Sequence, residues 1–132
     1  MANGRMLVRP TALDARGRAM EIAAELGPLG PVAVRRLFGG AGLSVDQVTF
    51  AMVIKGALYL RVDDATRPLF EAEGASPFTY QTRDREVTVA SYYEAPDAVI
   101  EETETLRTWA ARALAAARAA AKPKRGRKRP AT

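Results

Sequence analysis

Three glycines stand within four positions of the sequence "RLFGGAGL" (residues 36–43): Gly39, Gly40 and Gly42. Backbone amides bind phosphate where a glycine-rich turn presents them at the start of a helix, as in Walker A loops and dinucleotide fingerprints. Here a strand pattern follows Gly42, no Lys-Ser/Thr pair is present, and the spacing matches neither motif. We therefore predict that these glycines allow positive φ in a bend between strands, with Phe38 and Leu43 buried on either side.

Two arginines, Arg35 and Arg36, precede this bend on a predicted strand, where neighbouring side chains point to opposite faces. Paired arginines on a strand are usually solvated or ion-paired. The functional alternative is contact with an anion or a protein partner, and both residues are therefore candidate partner-binding residues.

Four aromatic residues lie on two later strand-like segments: Phe78, Tyr80, Tyr92 and Tyr93. We expect them to form part of the core and its polar rim. Because Tyr92 and Tyr93 are adjacent, they point to opposite faces, which leaves one of them open to a partner. Tyr93 is the candidate.

Two pairs of adjacent acids, Asp63-Asp64 and Glu101-Glu102, raise the question of a metal site or an acid/base pair. Carboxylates at helix starts interact favourably with the helix dipole and need no ligand. We therefore predict structural roles for them, with no catalytic residue, no metal ligand and no cofactor.

The composition narrows the chemistry further. The chain has 132 residues, enough for one domain, and contains neither cysteine nor histidine. Disulfides, thiolate catalysis, zinc-thiolate sites and histidine-based triads are thereby excluded, so we expect no enzyme. No apolar run approaches the ~20 residues that span a bilayer, and the N-terminus lacks the pattern of a signal peptide. We expect a cytoplasmic protein with no membrane contact.

The net charge of +5 is concentrated at the C-terminus. Residues 1–121 contain 14 basic and 15 acidic residues, a net charge of −1. The six remaining cations are Lys122, Lys124, Arg125, Arg127, Lys128 and Arg129. We call residues 122–132 the basic tail and expect it to be disordered in isolation, because it has no apolar anchor.

The core of the basic tail, Arg125-Gly126-Arg127, resembles an AT-hook, in which arginines lie in a narrow A·T minor groove. The glycine allows close approach, but Lys128 replaces the expected proline, so the motif is degenerate. The alternative is a solubilising or generic polyanion-binding segment. If each of the six cations contacts one phosphate, the slope of log affinity against log salt concentration is about −5. This holds whether the tail binds as an AT-hook or as a generic polyanion-binding segment.

Periodicity predicts the elements in order. Residues 12–26 form a helix with Thr11 as N-cap, and residues 32–38, 42–45, 48–54 and 57–62 form a meander of four antiparallel strands. Gln47 replaces the glycine of a tight turn, which favours a wider loop there, whereas Lys55-Gly56 favours a tight one.

The second half of the chain continues with a helix of about two turns that begins near Pro68 and ends at Gly74. Strands follow at 78–82 and 87–93, then a helical turn at Pro96 and a helix over 103–121 anchored by Trp109. The fold class is α+β: a single two-layer domain with an antiparallel sheet, helices mainly on one face, and the order α-β-β-β-β-α-β-β-α.

The combination of "FGGAG", "LYLRVD", "SYYEAP" and a late "WA" resembles the N-terminal domain of the TfoX/Sxy competence-regulator family. The resemblance covers most of residues 15–120. It implies a small α+β fold shared with secretion chaperone-like domains, and no catalytic residues. It also implies transcriptional coactivation together with the cyclic-AMP receptor protein, although the family's best-understood members carry a second, C-terminal helical domain.

We therefore predict a flexible N-terminus (1–10), a TfoX N-terminal-like domain (11–121) and the basic tail (122–132). Two functions are compatible with this organisation. In the first, the folded domain recruits a protein, such as transcription machinery or a cyclic-AMP receptor-like factor, and the tail binds DNA. In the second, the chain is a protein-binding or chaperone-like homodimer without a nucleic-acid role.

Overall fold

The computed structural model describes residues 14–128, with side chains described to residue 121. The helices are α1 (Ala15–Glu25), α2 (Arg67–Ala72), α3 (Asp97–Ile100) and α4 (Thr103–Lys128), with a 3₁₀ turn at Gly27–Leu29. The strands are β1 (Ala33–Leu37), β2 (Gly40–Val45), β3 (Val48–Ile54), β4 (Ala57–Arg61), β5 (Pro77–Gln81) and β6 (Glu86–Glu94). This order confirms the predicted α+β class and the predicted succession of elements.

All six strands form one antiparallel sheet in the order β1-β2-β3-β4-β6-β5. The meander of β1 to β4 is therefore confirmed, and β6 adds to its edge. The C-terminal half of β6 pairs with β4, through Leu60 and Tyr93, whereas its N-terminal half pairs with β5, through Phe78 and Val89. The β5–β6 hairpin thus extends beyond β4.

Three two-residue turns join the meander, and both residues of each have positive φ, as in type I′ turns. The turn residues are Phe38-Gly39 (φ 48° and 78°), Asp46-Gln47 (51° and 68°) and Lys55-Gly56 (51° and 84°). The tight turn at Lys55-Gly56 is as predicted. The wider loop predicted at Asp46-Gln47 is wrong: Val45 pairs directly with Val48, and the flanking strands hold Gln47 in a conformation that favours glycine.

The main core lies between the helices and one face of the sheet. Its fully buried large side chains include Leu26, Leu43, Phe50, Leu60 and Leu106. On α4 the predicted apolar stripe packs on this face: Leu106, Ala110, Ala113, Leu114 and Ala117 are buried. The alanines bring the helix axis close to the sheet.

A second, smaller core lies on the opposite face of the sheet. Its buried residues are Met52, Ile54, Phe78 and Tyr92, with Leu37, Tyr59 and Val89 packed against them. Every one of these residues comes from a strand. Within the part of the chain that the structure describes, this face of the sheet therefore packs only strand residues against one another.

The two ends of the folded part differ from the sequence predictions. Asp14 is the N-cap of α1, and its side chain accepts a hydrogen bond from the Gly17 N–H at 2.8 Å. The predicted cap Thr11 and the predicted flexible residues 1–10 lie outside the described residues. At the other end, the bounds of α4 extend to Lys128, past the predicted end at residue 121. Disorder of the basic tail stays a prediction.

Candidate binding site

The β1–β2 turn at Phe38-Gly39 is the centre of the candidate site. Phe38 was expected to be buried, and this is wrong: its side chain is 64% exposed, whereas Leu43 is fully buried as predicted. An aromatic residue with φ of 48° is unusual, because this conformation favours glycine, asparagine and aspartate. Neither turn geometry nor core packing explains a phenylalanine here.

The three glycines have different structural reasons. Only Gly39 has the predicted positive φ. Gly40 and Gly42 lie in β2, where the prediction of positive φ is wrong and close packing explains the missing side chain. A Cβ on Gly40 would lie 2.2 Å from the Val53 carbonyl oxygen, and one on Gly42 would lie 2.8 Å from a methyl group of Leu37.

On the face without helices, four aromatic rings line a cavity of about 470 Å³, which we call the aromatic groove: Phe38, Tyr59, Phe78 and Tyr80. The Phe78 ring contacts the Tyr59 ring edge-on at 5.0 Å between centroids, and it lies 6.1 Å from the Phe38 ring. Phe78 is buried, whereas Phe38 and Tyr80 remain exposed at the rim. The groove therefore has an apolar floor and an open aromatic edge.

Two charged residues of opposite sign, Lys55 and Glu86, also line the aromatic groove. Burial raises the pKa of Tyr59, and the nearby carboxylate of Glu94 raises it further. The Tyr59 hydroxyl therefore stays protonated at neutral pH and can donate a hydrogen bond.

On the other side of the same turn lies a second cavity of about 380 Å³, which we call the arginine cleft. It is lined by Arg16 in the first turn of α1, by Arg35 and Arg36 of β1, and by the residues from Gly39 to Ala41. Asp14 is the only acidic residue among those that line it. The structure thus brings the two predicted arginines together with a third that sequence reasoning missed.

Tyr93 does not belong to an exposed surface, so its assignment as a partner-binding residue is wrong. Its side chain is only 5% exposed, and its ring packs 6.1 Å from Phe70 in the main core. The hydroxyl donates a hydrogen bond of 2.7 Å to Glu71 Oε2, which raises the pKa of Tyr93. Tyr92 points to the opposite face, as predicted, but it is buried as well.

The paired acids have structural contacts. Asp63 Oδ1 accepts hydrogen bonds from the backbone of Ala65 and Thr66, and the Thr66 N–H in particular lowers the pKa of Asp63. Glu102 accepts from the hydroxyl and the N–H of Thr105, which lowers its pKa. Within residues 14–128, no group of three or more acidic side chains is placed to hold a metal ion.

The residues predicted to bind DNA are not described as a site. The side chains from Lys122 onward, including Arg125 and Arg127, lie outside the part of the chain whose side chains the structure describes. The last described salt bridge on α4 joins Arg118 to Asp46 in the β2–β3 turn at 3.6 Å.

Sequence reasoning missed the aromatic groove as a site, although Phe78 and Tyr80 were noted. Tyr59 carries an available signal, because it alternates with Leu58 and Leu60, which belong to the main core. Phe38 carries the opposite signal, because alternation along β1 groups it with Val34, which packs against the main core. The pattern could not show that residues 40 positions apart meet, because that contact depends on how the sheet curves.

Together, the fold and the site define an α+β domain with one helix-covered sheet face and an aromatic groove on the other. Residues 24–117 match the TfoX N-terminal domain, and the chain belongs to that family. It is 35% identical over 74 residues to Protein Sxy of Escherichia coli (strain K12). This alignment covers 56% of the chain and 35% of Protein Sxy, so the chain matches about a third of that relative's length.

Among the described residues, no helix is both long enough and apolar enough to span a membrane.

Proposed function

We propose that this protein is a non-enzymatic, cytoplasmic regulator of the TfoX type, which binds a protein partner through the aromatic groove and DNA through the basic tail. Membership of the TfoX N-terminal domain family supports a role in regulation, with competence genes as the first targets to consider. The observation that carries the proposal is Phe38, a strained turn residue whose ring is exposed at the edge of an aromatic groove.

Aromatic rings at a groove edge suit protein recognition. Exposed Phe38 and Tyr80 offer large contact area with little loss of side-chain entropy, and aromatic residues dominate binding energy at interfaces. Strained backbone persists where the surrounding structure holds it, and it is concentrated at functional positions. A partner side chain that enters the groove beside these two rings would approach Phe78 at the floor.

The groove adjoins a sheet edge that no other described strand pairs with. Strand β5 (Pro77–Gln81) is the last strand of the sheet and carries no charged residue. Its outer N–H and C=O groups can accept an added strand, and alternate side chains of that strand would enter the groove. An extended segment of a cyclic-AMP receptor-like factor or of transcription machinery is the partner we propose.

The partner interaction is tested with the full chain and a purified cyclic-AMP receptor-like factor from the same cell. The variant F38A/Y80A should weaken binding at least tenfold, because it removes both rim aromatics. The control M20A/L69A removes two exposed apolar side chains from α1 and α2 and should bind like the wild type. Equal weakening by both variants would reject the groove as the binding surface.

DNA binding by the basic tail is tested with A·T-rich and G·C-rich duplexes. In the full chain, replacement of the six tail cations by glutamine should remove most of the affinity and reduce the salt slope by about 5. A preference for A·T-rich duplex that disappears with R125Q/R127Q would support the AT-hook-like mode. Unchanged binding by the six-fold variant would reject the tail as the DNA contact.

A second candidate function is a homodimeric protein-binding module without a nucleic-acid role. The uncharged edge strand β5 favours it, because two copies could pair through this edge into one continuous sheet. Light scattering distinguishes the candidates: a dimer that a T79P substitution converts to a monomer, together with no duplex binding, would favour the module.

A further inference from the structure

Three arginines without a described acidic partner line the arginine cleft. Arg16, Arg35 and Arg36 are all exposed, and none forms a salt bridge among the residues the structure describes. By contrast, Arg18, Arg67, Arg107 and Arg118 each pair with an aspartate or a glutamate. Eight of the 12 basic residues in 14–121 form no described salt bridge, and the cleft is distinguished because three of these eight line one cavity.

This positive charge is opposite in sign to the net charge of the surrounding domain. Residues 14–121 contain 12 basic and 15 acidic residues, a net charge of −3. The single acid of the cleft, Asp14, already accepts the Gly17 N–H as the cap of α1. The cleft thus has a local charge of about +2 on a domain that is acidic as a whole.

Another cavity carries the opposite charge. Glu73, Glu94 and Asp97 line a pocket between the end of α2 and the start of α3, and no basic residue lines it. A polyanion near the domain would be attracted to the cleft and repelled from this acidic pocket. The charge distribution therefore gives the folded domain a preferred orientation toward a polyanion.

We propose that the arginine cleft binds the phosphodiester backbone of duplex DNA, as a contact of the folded domain that is separate from the basic tail. The planar guanidinium fork donates two parallel hydrogen bonds to phosphate oxygens, which a lysine ammonium cannot do. Gly39, Gly40 and Ala41 also line the cleft, and because they have no side-chain atom beyond Cβ they leave room for a phosphate. The argument depends on the three arginines and not on the start of α1.

The position of the cleft adds to the proposed function. The cleft lies at the start of β2, whereas Arg118 of α4 is tied to Asp46 just past the end of β2. Six strand residues separate these points, a distance of about 20 Å. The cleft and the segment that leads to the tail are therefore far enough apart to contact different phosphates along one duplex.

The test measures the affinity of the full chain for a labelled 20-base-pair duplex by fluorescence anisotropy between 50 and 200 mM salt. R35Q/R36Q should make the salt slope shallower by about 1.8, since each lost phosphate contact removes about 0.9. Over this fourfold salt range, the wild type should then lose about 12-fold more affinity than the variant. Addition of R16Q should reduce the slope by about 0.9 more.

The matched control is R83Q/R85Q, which removes the same charge from two exposed arginines in the β5–β6 turn. It should change the slope by less than half as much as R35Q/R36Q. Equal slopes for the two double variants would overturn the proposal, because a general charge effect would then explain any change. An unchanged midpoint temperature of thermal unfolding would show that both variants are folded.

The same measurement separates this inference from the proposed function of the tail. R35Q/R36Q is also introduced into the full chain whose six tail cations are replaced by glutamine. If the salt dependence of affinity becomes still shallower in that background, phosphate binding by the arginine cleft is supported even if the tail proposal fails. No further loss there, with an unchanged slope in the wild-type background, rejects the cleft while the tail proposal stands.

Discussion

The Phe38 ring lies nearly parallel to the Tyr80 ring, at an angle of 20° and with 6.3 Å between centroids. Phe38 follows β1 and Tyr80 lies in β5, yet β1 and β5 are the two outermost strands of a six-stranded sheet. The sheet therefore curls until the turn after its first strand meets its last. This contact creates the aromatic groove and leaves the arginine cleft on the other side of the same turn.

We expect the two phenylalanines of the groove to differ sharply in their contribution to stability. Phe78 is 4% exposed, so F78A should lower the free energy of unfolding by about 3–5 kcal/mol. F38A should cost less than about 1 kcal/mol, because its ring is mostly in solvent. Urea unfolding of both variants measures this. Similar costs would mean that Phe38 is a core residue.

Substitutions at two glycines of the β1–β2 hairpin, Gly39 and Gly40, should destabilise the protein for different physical reasons. G40A should destabilise by about 2–3 kcal/mol, because the new Cβ would overlap the Val53 carbonyl oxygen. G39A has open space around it and should cost about 1 kcal/mol from its positive φ. G39N is the control, since asparagine tolerates this conformation. A larger loss for G39A than for G40A would contradict the packing explanation.

The contact between Phe70 and Trp109 should couple α2 to α4. Their rings meet edge-on with 4.7 Å between centroids. A double-mutant cycle with F70L and W109L should give a coupling energy of about 0.5–1.5 kcal/mol. Thermal unfolding followed by circular dichroism suits all four proteins, because Trp109 is the only tryptophan. Additive effects of the two substitutions would show that the ring contact itself adds nothing.

The Tyr93–Glu71 hydrogen bond predicts a specific response to alkaline pH. The bond raises the pKa of Tyr93 above its ordinary value near 10, so folding favours the protonated hydroxyl. Its stabilising effect is complete below pH 10 and is lost as the pH rises through the native pKa. In E71Q, absorbance titration at 295 nm should show Tyr93 ionising at lower pH than in the wild type. The variant Y93F lacks this hydroxyl, so comparison with it shows which part of the absorbance change at 295 nm belongs to Tyr93.

Much of the fold follows from local patterns. The stripe of Leu106, Ala110 and Leu114 specifies a helix that packs on a sheet, and strand alternation assigns Tyr92 and Tyr93 to opposite faces. Lys55-Gly56 determines a tight turn by its own chemistry. The family motifs are local as well, which is why residues 24–117 can be matched without a structure.

Other features arise only when the strands are assembled. Alternation places Tyr93 on a face but does not show that α2 covers that face and supplies Glu71 to its hydroxyl. Positive φ at Phe38 and Gln47 is imposed by strand pairing on either side, against local preference. Sequence alone therefore predicts a buried Phe38 and a wide loop, and both are wrong.

The sequence by itself determined the class of elements, their order, the family and the charge of the basic tail, because each depends on neighbouring residues or on composition. The tertiary structure alone decided the candidate site. The register shift between Pro77 and Phe78 and the twist of the six strands bring Phe38 to Tyr80. Curvature accumulates over a whole sheet, so no local pattern encodes which distant residues it brings together.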